Sequence, residues 1–224
     1  MAAGFRQLRW PAGQSPAISV EMKTLSILAV AAALAPLQAA AAAPSLSGQY
    51  GPLLIAVQGD VVTGAFSETR VGNGTDNAPQ FGCAFQLAGT LKAGKAQVVT
   101  WYPGQAPIAG QLSLSSDGVS LTLKADQGGC AMTDASMVDQ PWQSTRDSVG
   151  PGWIGTRLVA TAKAVLRSGP DAKPGRTPYV VRDDAVAVLA TRGDAIQVSY
   201  PGASKPVVGW VKATELTSAS PPKR

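Results

Sequence analysis

Apolar residues recur at every second position over 53–66, which is the period of a β-strand with one buried face. Gly59-Asp60 lies in the middle of this stretch and is typical of a tight turn between two strands. A two-residue turn there predicts three facing pairs: Val57 with Val62, Ile55 with Gly64, and Leu53 with Phe66. All six residues share one face, so the stretch predicts a hairpin with one buried side.

A second hairpin is predicted at 112–123, LSLSSDGVSLTL. Asp117-Gly118 is a favoured pair for a two-residue hairpin turn, because both residues tolerate a positive φ. The turn predicts two facing leucine pairs: Leu114 with Leu121, and Leu112 with Leu123. Both pairs point to the same side of the hairpin, which is the side expected to be buried.

Strands are also predicted at 83–91 and 96–102, so the first half of the chain holds at least five short antiparallel strands. Such a meander closes into a sandwich or a small barrel. Four further short strands are predicted in the second half, at 165–168, 186–189, 196–200 and 207–211. The 24 glycines and 17 prolines fit many turns and few long helices. We therefore predict an all-β fold with a second, smaller barrel after the first.

The N-terminal segment has the pattern of a secretory signal peptide. Met22-Lys23 is followed by an apolar run over 25–37 and by alanines up to Ala43, just before Pro44. Translation starts at Met22 in this interpretation, or the preceding stretch is an unusually long basic leader. An uncleaved anchor is the alternative, although the run is short for a membrane-spanning helix. We expect a periplasmic or secreted protein with no membrane span in its mature form.

Charge divides the rest of the chain into two parts. Residues 44–145 carry a net charge of −3 and residues 146–224 a net charge of +6, which indicates two modules. The polar, turn-rich stretch QSTRDSVGPG before Trp153 indicates a boundary. The predicted organisation is a leader over 1–43, a disulfide-linked β domain over 44–145, a linker over 146–154, a second domain over 155–217 and a mobile tail over 218–224.

Cys83 and Cys130 are the two cysteines of the chain. An even number of cysteines in an exported protein predicts one disulfide between them. The alternative is a redox-active pair, but the C-x-x-C spacing of such pairs is absent.

The second module resembles the bacterial SH3 domain, SH3b, over residues 155–217. The resemblance lies in 166–170 (LRSGP), in 191–194 (TRGD) with the strand that follows, and in 209–211 (GWV) followed by Leu216. It implies an SH3-like barrel. One position departs from the family: Ala195 stands where a tryptophan usually follows the Gly-Asp of the central hairpin.

The same resemblance implies a shallow ligand groove formed by Arg167, Tyr200 and Trp210, which would contact peptidoglycan or an envelope protein. Aromatic side chains of small barrels also pack in the core, and this alternative applies to Tyr200 and Trp210. In the first module Trp101 and Tyr102 form a candidate aromatic rim at the end of a strand, where they either contact a ligand or close the core.

The absence of histidine from the chain restricts the possible chemistry. It excludes Ser-His-Asp and Cys-His nucleophile systems as well as ordinary zinc sites. No phosphate-binding glycine motif occurs. Asp183-Asp184 precedes a predicted strand and is explained as a turn. We therefore expect no enzyme activity, no cofactor, no metal and no nucleic-acid partner.

The sequence thus predicts an exported, non-catalytic binding or scaffolding protein of the cell envelope, with a cell-wall polymer or an envelope protein as its partner. Two alternatives remain open for the first module. It could inhibit a secreted enzyme through the exposed loop at 68–80, or it could carry a small ligand inside an open barrel.

Overall fold

The computed structural model describes residues 45–71, 80–133, 136–175, 178–201 and 205–222. The predicted leader and most of the loop at 68–80 lie outside these residues.

The described residues form an almost entirely β protein with antiparallel sheets. The nine-stranded sheet and its connections span residues 48–149: β1 (Gly48–Tyr50), β2 (Leu53–Gln58), β3 (Val61–Val71), β4 (Gln80–Thr90), β5 (Lys95–Trp101), β6 (Ile108–Leu114), β7 (Gly118–Leu123), α1 (Cys130–Thr133), β8 (Trp142–Thr145) and β9 (Ser148–Val149). A second set of strands follows: β10 (Gly155–Leu158), β11 (Ala164–Val165), β12 (Tyr179–Val180), β13 (Ala185–Arg192), β14 (Ala195–Tyr200) and β15 (Val207–Lys212), with a 3-10 turn at Ala213–Glu215.

The nine-stranded sheet is a meander in the order β8-β7-β6-β5-β4-β3-β2-β1-β9. Its two end strands, β8 and β9, are consecutive parts of one segment. The N–H of Arg146 donates to the Asp117 carbonyl at 2.9 Å on one side, and the N–H of Asp147 donates to the Gln49 carbonyl at 2.8 Å on the other. The segment therefore joins the two ends of the sheet and closes it into a barrel. The stretch predicted as a linker begins inside this sheet.

Buried side chains fill the interior of the barrel. Phe66 and Phe85 stack with their ring centroids 5.0 Å apart, and Trp142 meets Phe66 edge-on at 5.3 Å. The segment after β7 closes one end of the barrel with Met137, which is fully buried. Cys83 on β4 and Cys130 on α1 form the predicted disulfide, which ties this closing segment to the barrel wall.

The pairing predicted for the first hairpin is confirmed: Val57 faces Val62, Ile55 faces Gly64 and Leu53 faces Phe66. Gly59 adopts a φ of +62° in the turn. Glycine tolerates this value because it has no Cβ that could clash with the main chain. The β1 strand, which has only three residues, and the segment that holds β8 and β9 were not predicted.

The pairing predicted for the second hairpin is wrong by two residues. Leu112 faces Leu121 and Leu114 faces Val119, so that the turn lies at Ser116-Asp117 and Gly118 begins β7. The Ser115 hydroxyl explains the difference, because it accepts the N–H groups of residues 117 and 118 at 3.3 and 3.2 Å. A shift of two residues keeps every side chain on its face, and the leucines are buried as predicted.

The second set of strands forms a four-stranded antiparallel sheet in the order β10-β13-β14-β15 and a separate β11–β12 pair. Its core contains Val186, Val188 and Val198 together with Leu216, which pairs with Val159 after the 3-10 turn. The predicted strands at 186–189, 196–200 and 207–211 lie within β13, β14 and β15, whereas β10 and β12 were not predicted.

A third cluster of buried residues joins the two sets of strands. Leu54 and Ala65 point outward from the barrel wall and pack with Leu158 and Ala185 of the second sheet. β2 is consequently buried on both faces, as a strand between two packed layers must be. The described residues after 44 belong to one compact unit. Within this unit, the first module is the barrel, up to Val149, and the second module is the set of strands from Gly155 to the 3-10 turn.

Candidate functional site

Arg167, the first of the predicted groove residues, is 8% exposed and held by internal contacts. Its Nη2 donates to Glu215 Oε2 at 2.9 Å and its Nε to the Trp210 carbonyl at 3.2 Å. The main chains of residues 167 and 210 also exchange two hydrogen bonds. This guanidinium ties β15 and the 3-10 turn to the start of the second module.

Tyr200 and Trp210 are both half-buried. Tyr200 packs against the core of the second sheet, and burial, reinforced by the nearby Asp184 charge, raises the pKa of its phenol. Tyr200 also lines a cavity that does not include Arg167 or Trp210. No cavity described here brings these three residues together.

The two rim residues of the first module have separate environments. Trp101 is 3% exposed. It pairs across the strands with Gln86, whose side-chain amide donates to the carbonyl of Ser218 at 2.9 Å. The segment predicted as a mobile tail therefore begins with a contact to the barrel wall. Tyr102 is half-buried, and its hydroxyl donates to Asp183 Oδ1 at 2.9 Å, which joins the barrel to the second module.

Three adjoining cavities follow the contact between the barrel wall and the second module, and we call them the seam. Gln49 and Pro201 line both the first and the second cavity, and Ser67 lines both the second and the third. Both modules contribute residues to every cavity. The seam is therefore a continuous surface that neither module could form alone.

The first cavity is the apolar end of the seam, with a volume of about 530 Å³. The connection between the modules contributes Val149, Pro151 and Trp153, and the second sheet contributes Leu189, Pro206 and Val208. The two valines are more than half exposed, at 53% and 51%. Trp153 packs directly against the main chain of Gly150, where any larger residue would collide with the indole ring.

The second cavity is the narrow middle of the seam, about 190 Å³ in volume, with Leu54, Asp184 and Tyr200 among its lining residues. The Asp184 carboxylate accepts the N–H of Val181 at 2.7 Å. Burial raises the pKa of this carboxyl group, the bond from Val181 opposes the rise, and the Asp183 charge adds to it.

The third cavity is the polar end, about 310 Å³ in volume. Its wall includes Glu68, Tyr102, Gln105, Arg182 and Asp183. Burial raises the pKa of the Tyr102 phenol, and its bond to Asp183 raises it further. The phenol is thus a neutral donor that fixes one oxygen of the Asp183 carboxylate.

Glu68 Oε1 at the polar end contacts Arg70 Nε at 3.3 Å. The other oxygen, Oε2, is shielded from water and has no hydrogen-bond partner among the residues that the structure describes. A shielded carboxylate oxygen without a donor is costly, and the protein therefore satisfies the charge of Glu68 only in part. The side chain is 22% exposed, and this exposed part is what a ligand could reach.

The concave lining of the seam suits binding. Within the described ranges no group of three or more Cys, Asp or Glu residues could hold a metal ion. Tyr102 and Asp183 form a hydroxyl–carboxylate pair in its wall, and the raised pKa of the phenol keeps this hydroxyl protonated. A search of the described residues found no helix long and apolar enough to cross a membrane.

Comparison with protein families, with curated proteins and with solved structures found no match for this chain.

The seam could not be recognised in the sequence, because the residues that line it come from segments far apart in the chain. Asp183-Asp184 was noticed but interpreted as a turn, and Trp153 was placed in a linker. One signal was present in the uninterrupted apolar run LLIAV at 53–57. Such a run is typical of a strand that is covered on both faces, and it locates the barrel wall against which the second module packs.

Proposed function

We propose that this chain is an exported, non-catalytic binding or scaffolding protein of the cell envelope, and that its ligand binds in the seam. The observation that carries the proposal is the continuity of the three cavities, to which both modules contribute. Ligand sites are concave, largely apolar and furnished with a few polar groups, and they occur preferentially between domains.

Two observations direct the proposal away from the other parts of the molecule. The barrel interior is packed with side chains, which counts against a small-ligand carrier that needs an open barrel. Arg167 is 8% exposed and bonded to Glu215 and to the Trp210 carbonyl, which counts against a direct contact with a ligand in the groove predicted from the SH3b resemblance.

The SH3b-like character of the second module remains part of the proposal. It is supported by the sequence pieces LRSGP and GWV and by the position of Leu216, which follows the 3-10 turn and pairs with Val159 near the start of the module. The proposed location in the envelope is supported by the predicted leader and by the Cys83–Cys130 disulfide, since stable disulfides are typical of oxidising compartments.

Retention of the full chain on purified peptidoglycan and on immobilised envelope proteins, at low salt, tests the proposal. The double variant Val149→Ser/Val208→Ser changes two exposed side chains of the seam and should fold normally. The control is Tyr179→Ala, which removes a 55% exposed aromatic side chain elsewhere on the second module. We expect retention on one of the two materials, reduced by the valine variant and unchanged by the control. Absence of retention on both would overturn the proposal.

A further inference from the structure

The seam is acidic although the chain as a whole is basic. Four carboxylates line its cavities, namely Asp147, Asp184, Glu68 and Asp183, against two cations, Lys205 and Arg182. The chain carries a formal net charge of +5. This local excess of negative charge, at the contact between the modules, favours a ligand with positive charge and disfavours a polymer rich in carboxylates.

The acidic groups are not evenly distributed along the seam. At the polar end, Glu68 Oε2 is shielded and without a partner among the described residues, while the Tyr102 hydroxyl already donates to Asp183 Oδ1. Arg182 lines the same cavity, and Arg70 contacts Glu68 Oε1, so the polar end is not a deep anionic trap. The Glu68 side chain is 22% exposed and only one of its oxygens has a partner among the described residues, so an ammonium or guanidinium group could pair with this carboxylate from its open side.

The apolar end has a different composition. Trp153 and the exposed side chains of Val149 and Val208 line it with three prolines, and Lys205 is its basic residue. The narrow middle cavity, with Tyr200 and Leu54 in its wall, connects the two ends. An extended segment that places apolar side chains at one end and a basic side chain at the other matches this order.

We infer that the seam binds an extended peptide segment of a partner protein, with apolar side chains at Trp153, Val149 and Val208 and a lysine or arginine side chain at Glu68. The inference rests on the proposed function and specifies its ligand. A peptide suits the site better than a sugar polymer, because the apolar end and the Glu68 carboxylate lie at opposite ends of the seam and require apolar and cationic groups on one chain.

Selection of random twelve-residue peptides displayed on phage, with the full chain as the immobilised target, tests the inference. We expect enrichment of peptides that carry Lys or Arg a few residues away from Trp, Leu or Pro. An enriched peptide is then synthesised with a fluorescent label, alongside a copy in which citrulline replaces arginine or norleucine replaces lysine. The neutral copy should bind about tenfold more weakly, as should the intact peptide to Glu68→Gln.

The matched control is Asp139→Asn, which neutralises an exposed carboxylate outside the seam and should leave the affinity unchanged. Enriched peptides that are acidic or uncharged, or an affinity that Glu68→Gln does not change, would overturn the inference. If uncharged peptides bind and the Val149→Ser/Val208→Ser variant lowers their affinity, the proposed function stands, but the inference of a cationic ligand is wrong. Retention of the chain on peptidoglycan, without binding of any peptide, would also leave the proposed function standing and overturn the peptide inference. If the chain binds neither peptides nor peptidoglycan nor envelope proteins, the proposed function and the inference are both wrong.

Discussion

The Cys83–Cys130 disulfide should supply a large part of the stability of this protein. The two cysteines are 47 residues apart, and both are fully buried where the segment after β7 closes the barrel. In the chain-entropy treatment, a cross-link over a loop of this length stabilises the native state by about 4 kcal/mol, because it restricts the unfolded chain. Typical proteins of this size have a free energy of unfolding of roughly 5–15 kcal/mol.

Urea unfolding of the oxidised and the reduced protein measures this contribution. The reduced sample is prepared by unfolding in reductant and refolding in its presence, since the buried bond is inaccessible in the native state. Trp142 packs on Phe66 in the barrel core, so tryptophan fluorescence follows the loss of the core. Reduction removes no side-chain atom, although the two sulfur atoms move apart, so the measured loss reports mainly on the cross-link and not on a cavity. A decrease of less than about 1 kcal/mol would refute the reasoning, because the closing segment would then be held by its other contacts alone.

Three other substitutions test the structural account. Arg167→Leu should lower the free energy of unfolding by about 2–4 kcal/mol, since it removes two hydrogen bonds of the buried guanidinium and leaves the Glu215 carboxylate without its counter-charge. An unchanged midpoint of urea unfolding at neutral pH would contradict this role. Leu54→Ala should cost about 2–4 kcal/mol and retain a single unfolding transition for both modules, whereas two separated transitions would show that their contact is weak. Asp184→Asn should stabilise the protein at pH 7. Burial raises the pKa of this carboxyl group, so its ionisation lowers stability as the pH rises through that raised pKa, and the gain should vanish below the ordinary carboxyl pKa; an equal gain at pH 3 and pH 7 would contradict the assignment.

The sequence was sufficient for those parts of the fold in which pattern and turn chemistry agree. The first hairpin has alternating apolar residues and a glycine turn, and its register was predicted correctly. In the second hairpin the pattern was sufficient for the buried face, but the Ser115 hydroxyl binds two N–H groups of the loop. The turn therefore lies one residue earlier than predicted, and the facing partner of each leucine shifts by two residues. The buried face of a strand is determined by which side chains are apolar, whereas the register of strand pairing also depends on local hydrogen bonds.

The strands that close the barrel could not be predicted from their own residues. In the segment that contains β8 and β9, Trp142 is the buried apolar residue, and the remaining side chains are half-buried or exposed. The segment belongs to the sheet through its main-chain bonds to Asp117 and Gln49, which leave no alternation in the sequence. The polar composition that indicated a linker is the composition of a strand with little side-chain burial.

The candidate site was the least predictable part. Arg167 was predicted to bind a ligand because a family resemblance placed it in a groove, yet the structure commits it to Glu215. The seam depends on the outer face of the barrel wall and on Asp183-Asp184, which come together through the packing of Leu54 against Ala185. The apolar run at 53–57 marks a strand that is covered on both faces, but it does not show which segment of the chain covers it.

The most direct test of the central claim is the mapping of amide chemical shifts by NMR in the labelled protein on addition of a selected peptide. The account predicts that the amides that shift cluster around Trp153, Tyr200 and Glu68, on both sides of the contact between the modules. Shifts confined to one module, or centred on Arg167 and Trp210, would contradict it.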